Sequence, residues 1–449
     1  MSKHNPEPSA PRVLRGALLM HLDAPRLERG EIRVAGGAID RVAPRIEPEA
    51  GDVVEDLGGH VILPGLVVGH HHLYSALAPS MPPPPRAPRN FHEVLQLIWW
   101  RLDRALDLET TRLSGLVGAL DALRCGVTTI IDHHASPSCI DGSLDALAEG
   151  VAATGLRAVL CYEVTNRNGG AAEQQAGLRE NERFIRANGG PRLAGMVGAH
   201  AAFTIDDDGL RALAALAEST GAPIHIHVAE DPCDDAACRQ RYKTSLMLRL
   251  EESGVLREGT LVAHGTHLTA TDVKRALRAG CRFAHNPRSN MNNGVGHAPV
   301  EHFAGAAVLG TDGIGGDLLE ELRAACFKSS DRHAGVGPDA FVGMMARSAQ
   351  VAGERLGVTL GKLEPGAQAD LAVLEAPPSV VPGLSGVSQA LVYAMSTRLV
   401  RHVMVGGEWA LRDGNALLAG AAEARARVAE AAPALWARLP EWHEPHEEG

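Results

Sequence analysis

The sequence of 449 residues lacks the features that mark membrane proteins and nucleic-acid-binding proteins. No run approaches the roughly 18 apolar residues of a transmembrane helix, and the first 30 residues hold charges and prolines where a signal peptide would be apolar. The net charge is −11, and the basic residues are scattered instead of forming the stripe that phosphate backbones require. We therefore expect a cytoplasmic protein that binds neither a membrane nor a nucleic acid polymer.

Cysteines and aromatic residues are also few. The seven cysteines are odd in number and spread along the chain, which favours reduced thiols in the cytosol. Aromatic residues make up 4% of the chain, yet Tyr74, Phe91, Trp99 and Trp100 fall close together around Pro82–Pro85. A long, stiffened loop of this kind is typical of a substrate lid. The alternative is that the two tryptophans simply pack a helix against the core.

Eight short apolar runs recur along the chain, each ending at a polar or ionisable residue. They are Val61–Gly69, Val127–Asp132, Arg157–Glu163, Ala194–His200, Pro223–His227, Thr260–His264, Arg282–His285 and Ala306–Asp312. Parallel strands that are buried on both faces have this continuous apolar character. We therefore expect an α/β fold, with a TIM-like (β/α)8 barrel over residues 64–362.

The two ends of the chain show short alternating strands with glycine turns, as in Val13–Leu63, Asp370–Leu374 and His402–Glu408. We expect residues 1–63 and 363–449 to form one composite β-sandwich domain beside the barrel. Its C-terminal tail, Ala421–Ala437, is rich in alanine, arginine and glutamate, which predicts a helix that covers a surface.

Histidines and acids are concentrated at the ends of the predicted strands. Because side chains alternate faces along a strand, His70 and His72 point the same way and His71 points away. Zinc-type ions prefer imidazole and carboxylate ligands, with one position left open for water at a catalytic site. The pattern predicts one divalent ion, bound by His70, His72, His227 and Asp312.

These clusters together resemble the amidohydrolase superfamily, in its deaminase and chlorohydrolase branch. The matching motifs are Pro64-Gly65, His70-x-His72, His227-x-x-Glu230, His264, His285-Asn286-Pro287-x-Ser289-Asn290 and Thr311-Asp312-Gly313. The segments Leu73–Leu77, Trp99–Asp103, Asp132–Pro137 and Asn286–Met291 are similar to SsnA-type aminohydrolases. The resemblance implies hydrolytic deamination of a purine- or pterin-like heterocycle by attack of metal-bound hydroxide, with release of ammonia. Members of this branch are often homodimers.

Three residues are predicted to carry the catalysis. Glu230 is not needed for coordination, and it is placed to carry a proton to a ring nitrogen of the substrate, as a non-ligand glutamate does in zinc deaminases. His264 would orient the attacking oxygen. Asp312 would bind the ion and hold or accept the proton of the water.

Lysines are scarce, and none lies between Lys3 and Lys243. Members of the superfamily with two metal ions generally bridge them with a carboxylated lysine at the end of strand 3 or 4. We therefore expect a single ion, zinc in the first instance with ferrous iron as the alternative. Glu163, at the end of strand 3, remains an alternative bridging carboxylate.

The predicted substrate contacts lie at the same strand ends. His200 matches the family's substrate-contacting histidine. His133 and His134 could bond a polar heterocycle or serve the structure. Arg288 could pair with a carbonyl or carboxylate of the substrate or with a neighbouring acid, and Trp99 could cover the ring.

Two other functions remain open. The same ion could serve hydrolysis of a cyclic amide or of a carbon–halogen bond, since the pocket contacts decide between substrates. A non-catalytic, metal-binding accessory protein is the alternative of another class. Glu230 and His264 argue against it, because a scaffold needs neither.

Overall fold

The computed structural model describes residues 10–417 and 421–441. The strands are β1 (Arg12–Arg15), β2 (Leu18–His21), β3 (Arg26–Arg29), β4 (Glu31–Ala35), β5 (Ala38–Ala43), β6 (Val53–Asp56), β7 (His60–Pro64), β8 (Leu66–His71), β9 (Val127–His134), β10 (Arg157–Tyr162), β11 (Leu193–Gly195), β12 (Val197–Ala201), β13 (Ile224–Val228), β14 (Leu261–His264), β15 (Arg282–His285), β16 (Ala307–Leu309), β17 (Leu371–Glu375), β18 (Val400–Val405), β19 (Glu408–Arg412) and β20 (Asn415–Ala416).

The α-helices are α1 (Phe91–Val94), α2 (Trp100–Ala105), α3 (Leu108–Arg124), α4 (Ser143–Ala152), α5 (Gly170–Ala187), α6 (Asp207–Thr220), α7 (Cys233–Tyr242), α8 (Leu246–Glu252), α9 (Ala270–Arg278), α10 (Pro287–Asn292), α11 (Val300–Phe303), α12 (Leu318–Asp331), α13 (Pro338–Leu356), α14 (Val387–Gln389) and α15 (Ala421–Trp436). The π-helical segment Leu95–Trp99 joins α1 to α2. Within the described residues, no helix is both long and apolar enough to span a bilayer.

Eight parallel strands form the predicted barrel. They are hydrogen-bonded in two arcs, β8 to β11 and β12 to β16; β11 and β12 are the two halves of the fourth strand, separated by Met196. Parallel bridges between His71 and Asp312 and between Val164 and Ala199 join the arcs into a ring. Every residue of β9 and β10 is buried, as strands covered by helices outside and side chains inside must be. The predicted (β/α)8 fold is therefore confirmed, and all eight apolar runs contain a barrel strand.

The first apolar run, Val61–Gly69, divides into two strands. Its first half, β7, pairs with β17 and β2 in a different sheet, and only β8 enters the barrel. Gly65 separates them and donates its N–H to the carbonyl of Asp370 at 2.7 Å. A Cβ atom at Gly65 would lie 2.3 Å from Oγ1 of Thr128, so the chain can pass here only with glycine.

Strands from both chain ends share one of the two remaining sheets, and N-terminal strands alone form the other. One has seven strands in the order β20-β19-β18-β17-β7-β2-β3, and the other has four in the order β5-β4-β1-β6. Leu14, Ile62 and Met404 belong to one apolar cluster of fully buried residues between them. The boundaries of the two domains, at residues 63/64 and 362/363, stay a prediction.

Helix α15 packs beside the lid region. Leu435 is fully buried, and the indole N–H of Trp436 donates to the carbonyl of Leu77 at 3.0 Å. Arg438 donates to the carbonyl of Ala105 at 3.0 Å. The predicted C-terminal helix therefore supports the turn that follows β8 and the end of α2, which lie at the mouth of the barrel.

Candidate metal centre

Two imidazole rings face each other at the mouth of the barrel. Nε2 of His72 lies 3.1 Å from Nε2 of His227. Each ring points its Nδ1 at a backbone carbonyl, His72 at His133 (2.6 Å) and His227 at His200 (2.9 Å). The carbonyls fix the proton on Nδ1, so both Nε2 atoms offer lone pairs to one point. Nitrogen ligands of tetrahedral zinc, each about 2.0–2.1 Å from the ion, are about 3.3 Å apart.

His70 and Asp312 complete this donor set. Oδ1 of Asp312 lies 3.2 Å from Nε2 of His70 and 3.0 Å from Nε2 of His72. The other carboxylate oxygen of Asp312 accepts a hydrogen bond from the hydroxyl of Ser289. These three imidazole nitrogens and one carboxylate oxygen are buried and close together, and such donors fit a divalent metal ion. The possible ligand atoms of His70, His227, His264 and Asp312 lie within 4.8 Å of one another, and so do those of His72, His133 and His227.

His71 lies on the opposite face of β8, as the strand alternation predicts. Its Nδ1 is 2.8 Å from Oγ1 of Thr311. The ring is buried, so this side chain serves the packing of the barrel and does not reach the donor set.

Burial and the charge of Asp312 give these histidines different protonation states. Burial lowers the pKa of His70 to about 3 and the pKa of His227 well below its usual value. Burial also opposes protonation of His72, but its hydrogen bond and charge interaction with Asp312 raise the pKa of His72 to about 9. In the absence of an ion, a proton on His72 therefore balances the carboxylate.

The backbone is strained where the strands deliver these groups. Asp312 and His264 have φ angles of +50° and +68°, and Ala229, beside Glu230, has +49°. Residues other than glycine rarely occupy this left-handed region, and such strain is concentrated at functional sites. The three positions surround the same barrel mouth.

Glu230 and His264 form a second pair beside the donor set. Oε2 of Glu230 lies 3.5 Å from Nε2 of His264, and Oε1 accepts a hydrogen bond from Asn293 at 3.2 Å. His264 is oriented from its other side, where Nδ1 donates to Oδ1 of Asn290 at 2.9 Å. Burial raises the pKa of Glu230 to about 7, with His264 opposing the rise and Asp312 adding to it. A carboxyl group with this pKa can both hold and release a proton at neutral pH.

Residues 61–410 match the amidohydrolase family. The chain belongs to this family.

Two relatives and one solved structure illustrate the likeness. The amidohydrolase is 31% identical to 8-oxoguanine deaminase of Pseudomonas aeruginosa over 80% of this chain and 84% of that one. It is 29% identical to 5'-deoxyadenosine deaminase of Methanosarcina mazei over 94% and 97% of the two chains. It superimposes on a zinc-bound adenosine deaminase of Xanthomonas campestris with a TM-score of 0.81 and 20% identity, covering 94% and 98%.

A cavity of this amidohydrolase opens at His72, His227 and Asp312. His200 and Trp99, two of the predicted substrate contacts, line it. Phe91, Trp100 and Phe203 add aromatic walls. The tryptophans of the lid region therefore both pack the helix pair α1–α2 and face the cavity.

His133 and His134 do not line the cavity, which corrects their prediction as substrate contacts. Both rings are fully buried. Nε2 of His133 donates to the carbonyl of Ala199 at 3.0 Å, and Nε2 of His134 is 2.9 Å from Oγ of Ser136. β9 continues to residue 134, so these rings are enclosed by neighbouring strands before the chain reaches the mouth.

Arg288 also lies away from the cavity lining, and it pairs with neighbouring acids, which was the alternative to a substrate contact. Its guanidinium donates to the fully buried Glu321 at 2.5 Å and to Glu320 at 2.8 Å. It therefore ties α10 to α12, and we correct its prediction as a substrate contact.

Sequence reasoning assigned no role to several groups that support the site. His225 lies behind His70, with its Nε2 2.8 Å from Nδ1 of that ring. Ser289, Asn290 and Asn293 hold Asp312, His264 and Glu230 respectively. The spacing of His225 and His227 on one strand repeats that of His70 and His72, and this signal could have identified His225.

Proposed function

We propose that this amidohydrolase removes ammonia hydrolytically from an aminated, purine- or pterin-like heterocycle. One observation carries the proposal: Glu230 lines the same cavity as His72, His227 and Asp312 but is held by Asn293 and His264. A carboxyl group so placed, with a pKa near neutrality, is free to pass a proton to a substrate.

The cofactor is a divalent metal ion, and we propose one zinc ion held by His70, His72, His227 and Asp312, with ferrous iron as the alternative. When bound, such an ion makes water reactive at neutral pH by lowering its pKa. His264 orients the oxygen of the water, which forms a bond to the ring carbon that bears the amino group. Glu230 carries one proton of the water to a ring nitrogen, and Asp312 accepts the other at its carboxylate. The proton on Asp312 then passes to the amino group as its bond to carbon breaks, so that ammonia leaves and the ring carbon becomes a carbonyl.

Three further features support the proposal. The two relatives named above are deaminases of 8-oxoguanine and of 5'-deoxyadenosine, both aminated purine compounds. The aromatic walls at Trp99 and Phe203 suit a flat ring. The seven cysteines are free thiols, as expected in the reducing cytosol. We propose that the enzyme is cytoplasmic. We also propose that it works as a homodimer.

An ammonia-release screen of purines, pyrimidines and pterins, with zinc-loaded and metal-analysed protein, tests the activity. Release of ammonia that requires the metal is the expected result. A chlorinated triazine in the same screen, assayed for chloride, tests the carbon–halogen alternative. Chloride release without ammonia release from any compound would contradict deamination.

A further inference from the structure

The cavity above the proposed metal ligands is rich in acidic residues. Its carboxyl side chains are those of Glu163, Glu230, Asp231, Asp234 and Asp312. Among the residues that the structure describes, no lysine or arginine lines it. Its three imidazole rings are those of His72 and His227, which the proposed ion would occupy, and of His200.

The nearest arginine does not change this balance. Arg167 lies behind the lining, where it forms ion pairs with Asp103 and Glu163 and stacks over the ring of Trp100 at 5.0 Å. Its side chain is 6% exposed. The two carboxylates already neutralise this single positive charge, so Arg167 does not attract an anionic substrate. A divalent ion at Asp312 would offset two negative charges at the floor of the cavity and none at its walls.

Glu163 retains unused hydrogen-bonding capacity. Arg167 donates to its Oε1 at 2.8 Å, whereas Nδ1 of His133 makes only a long contact with its Oε2, at 3.4 Å, and Nε2 of His200 lies 3.7 Å from Oε1. By contrast, the buried carboxylate of Glu93 accepts five hydrogen bonds. A carboxylate offers about four acceptor positions, so Glu163 can accept further hydrogen bonds at the cavity wall.

We infer that the substrate carries no phosphate or carboxylate group and that Glu163 accepts hydrogen bonds from its N–H groups. The substrate is therefore a neutral or cationic free base or nucleoside with a donor-rich edge. This inference rests on the proposed function, because it specifies which aminated heterocycles the same site accepts.

The physical reasons are repulsion and desolvation. A phosphate placed in this cavity would lose its hydration and face the acidic walls at Glu163 and Asp231, where no lysine or arginine could pair with it. Hydrogen bonds to a charged acceptor such as Glu163 contribute about 1.5–3 kcal/mol each, which corresponds to roughly 10- to 100-fold in affinity. Loss of the charge should therefore weaken binding of the substrate without removing the metal.

The test uses the zinc-loaded full chain and three matched pairs of probes: adenosine and guanosine with their 5'-monophosphates, and pterin with its 6-carboxylate. Equilibrium binding and ammonia release are both measured. We expect each neutral compound that binds to do so at least 100-fold more tightly than its anionic partner. In Glu163→Gln, we expect the Kd and KM of that compound to rise about 10- to 100-fold with unchanged zinc content.

Glu173→Gln is the matched control. Glu173 is also buried, but it accepts hydrogen bonds from Asn168 and Gly169 outside the cavity, so its amide variant should bind the probes as the wild type does. In Glu163→Gln, Arg167 keeps Asp103 as a partner, and equal melting temperatures of the two variants would show that the fold survives.

The possible outcomes separate the two proposals. Anionic probes that bind as well as their neutral partners, or no binding of any neutral probe, would overturn the inference, as would unchanged binding in Glu163→Gln. Selective binding of neutral probes without release of ammonia would support the inference and contradict deamination. The wild-type comparison holds even if the variant does not fold.

Discussion

His225 lies directly behind His70, with its Nε2 2.8 Å from Nδ1 of that ring. For His70 to present a lone pair on Nε2, its Nδ1 must carry the proton and donate it to His225. Both rings are fully buried, so solvent cannot replace this acceptor. His225 thus fixes the tautomer and the direction of a proposed ligand from the strand that also provides His227.

The first prediction is that His225→Phe lowers zinc affinity about 10- to 100-fold, since Phe fills the space but accepts no hydrogen bond. Competition with a chelator measures the affinity. His71→Asn is the control, because His71 is equally buried but faces Thr311. It should lower stability and leave the zinc content unchanged. Equal zinc affinity in His225→Phe and the wild type would remove His225 from the support of the site.

The second prediction concerns protons released on metal binding. The pKa values of His70 and His227 lie far below neutrality, so both are already unprotonated, whereas the pKa of His72 is about 9. Zinc should displace about one proton, and its apparent affinity should rise about tenfold per pH unit up to about pH 9 and then level off. Calorimetry in buffers of different ionisation enthalpy counts the protons. Release of three, or a flat pH dependence between 6 and 8, would contradict the assignment of these states.

The third prediction is that Glu230→Gln keeps the metal and the fold and loses turnover. The amide cannot pass a proton to the ring nitrogen, a contribution of about 10²–10⁴-fold or more if one group serves both transfers. Zinc analysis and the melting temperature are the controls, and the rate of ammonia release is the readout. A variant with the wild-type rate would exclude Glu230 from the mechanism.

The strands and the functional residues differ in how far the sequence determines them. The apolar runs predicted every barrel strand, because strands buried on both faces must be continuously apolar. His133 and Arg288 were misassigned for a tertiary reason. Along the chain, Ala199 is 66 residues from His133 and Glu321 is 33 residues from Arg288. Only the fold shows that the carbonyl of Ala199 and the carboxylate of Glu321 accept hydrogen bonds from these two side chains.

The last prediction concerns the loop that carries Pro82–Pro85. Glu93, on α1, accepts hydrogen bonds from Arg86 at 2.6 and 2.9 Å and from the backbone N–H of Arg89 at 2.7 Å. It therefore fixes the end of the loop to the helix that provides Phe91 to the cavity. Glu93→Gln should raise the rate of tryptic cleavage after Arg86 and Arg89 and lower turnover, with the zinc content unchanged.

The lowered pKa of Glu93 predicts that this contact persists at mildly acidic pH. Hydrogen bonds from Arg86 and then Arg89 hold the pKa of Glu93 well below its usual value. A carboxyl whose folded pKa is depressed contributes stability above its unfolded pKa, and that contribution is lost as the pH falls through the folded pKa. Cleavage of the wild-type loop should therefore stay slow from pH 8 to pH 5, after correction for trypsin activity with a peptide substrate. Glu182→Gln, which alters an exposed pair with Arg186, should behave as the wild type. Cleavage that is equally slow in Glu93→Gln would show that the prolines alone hold the loop.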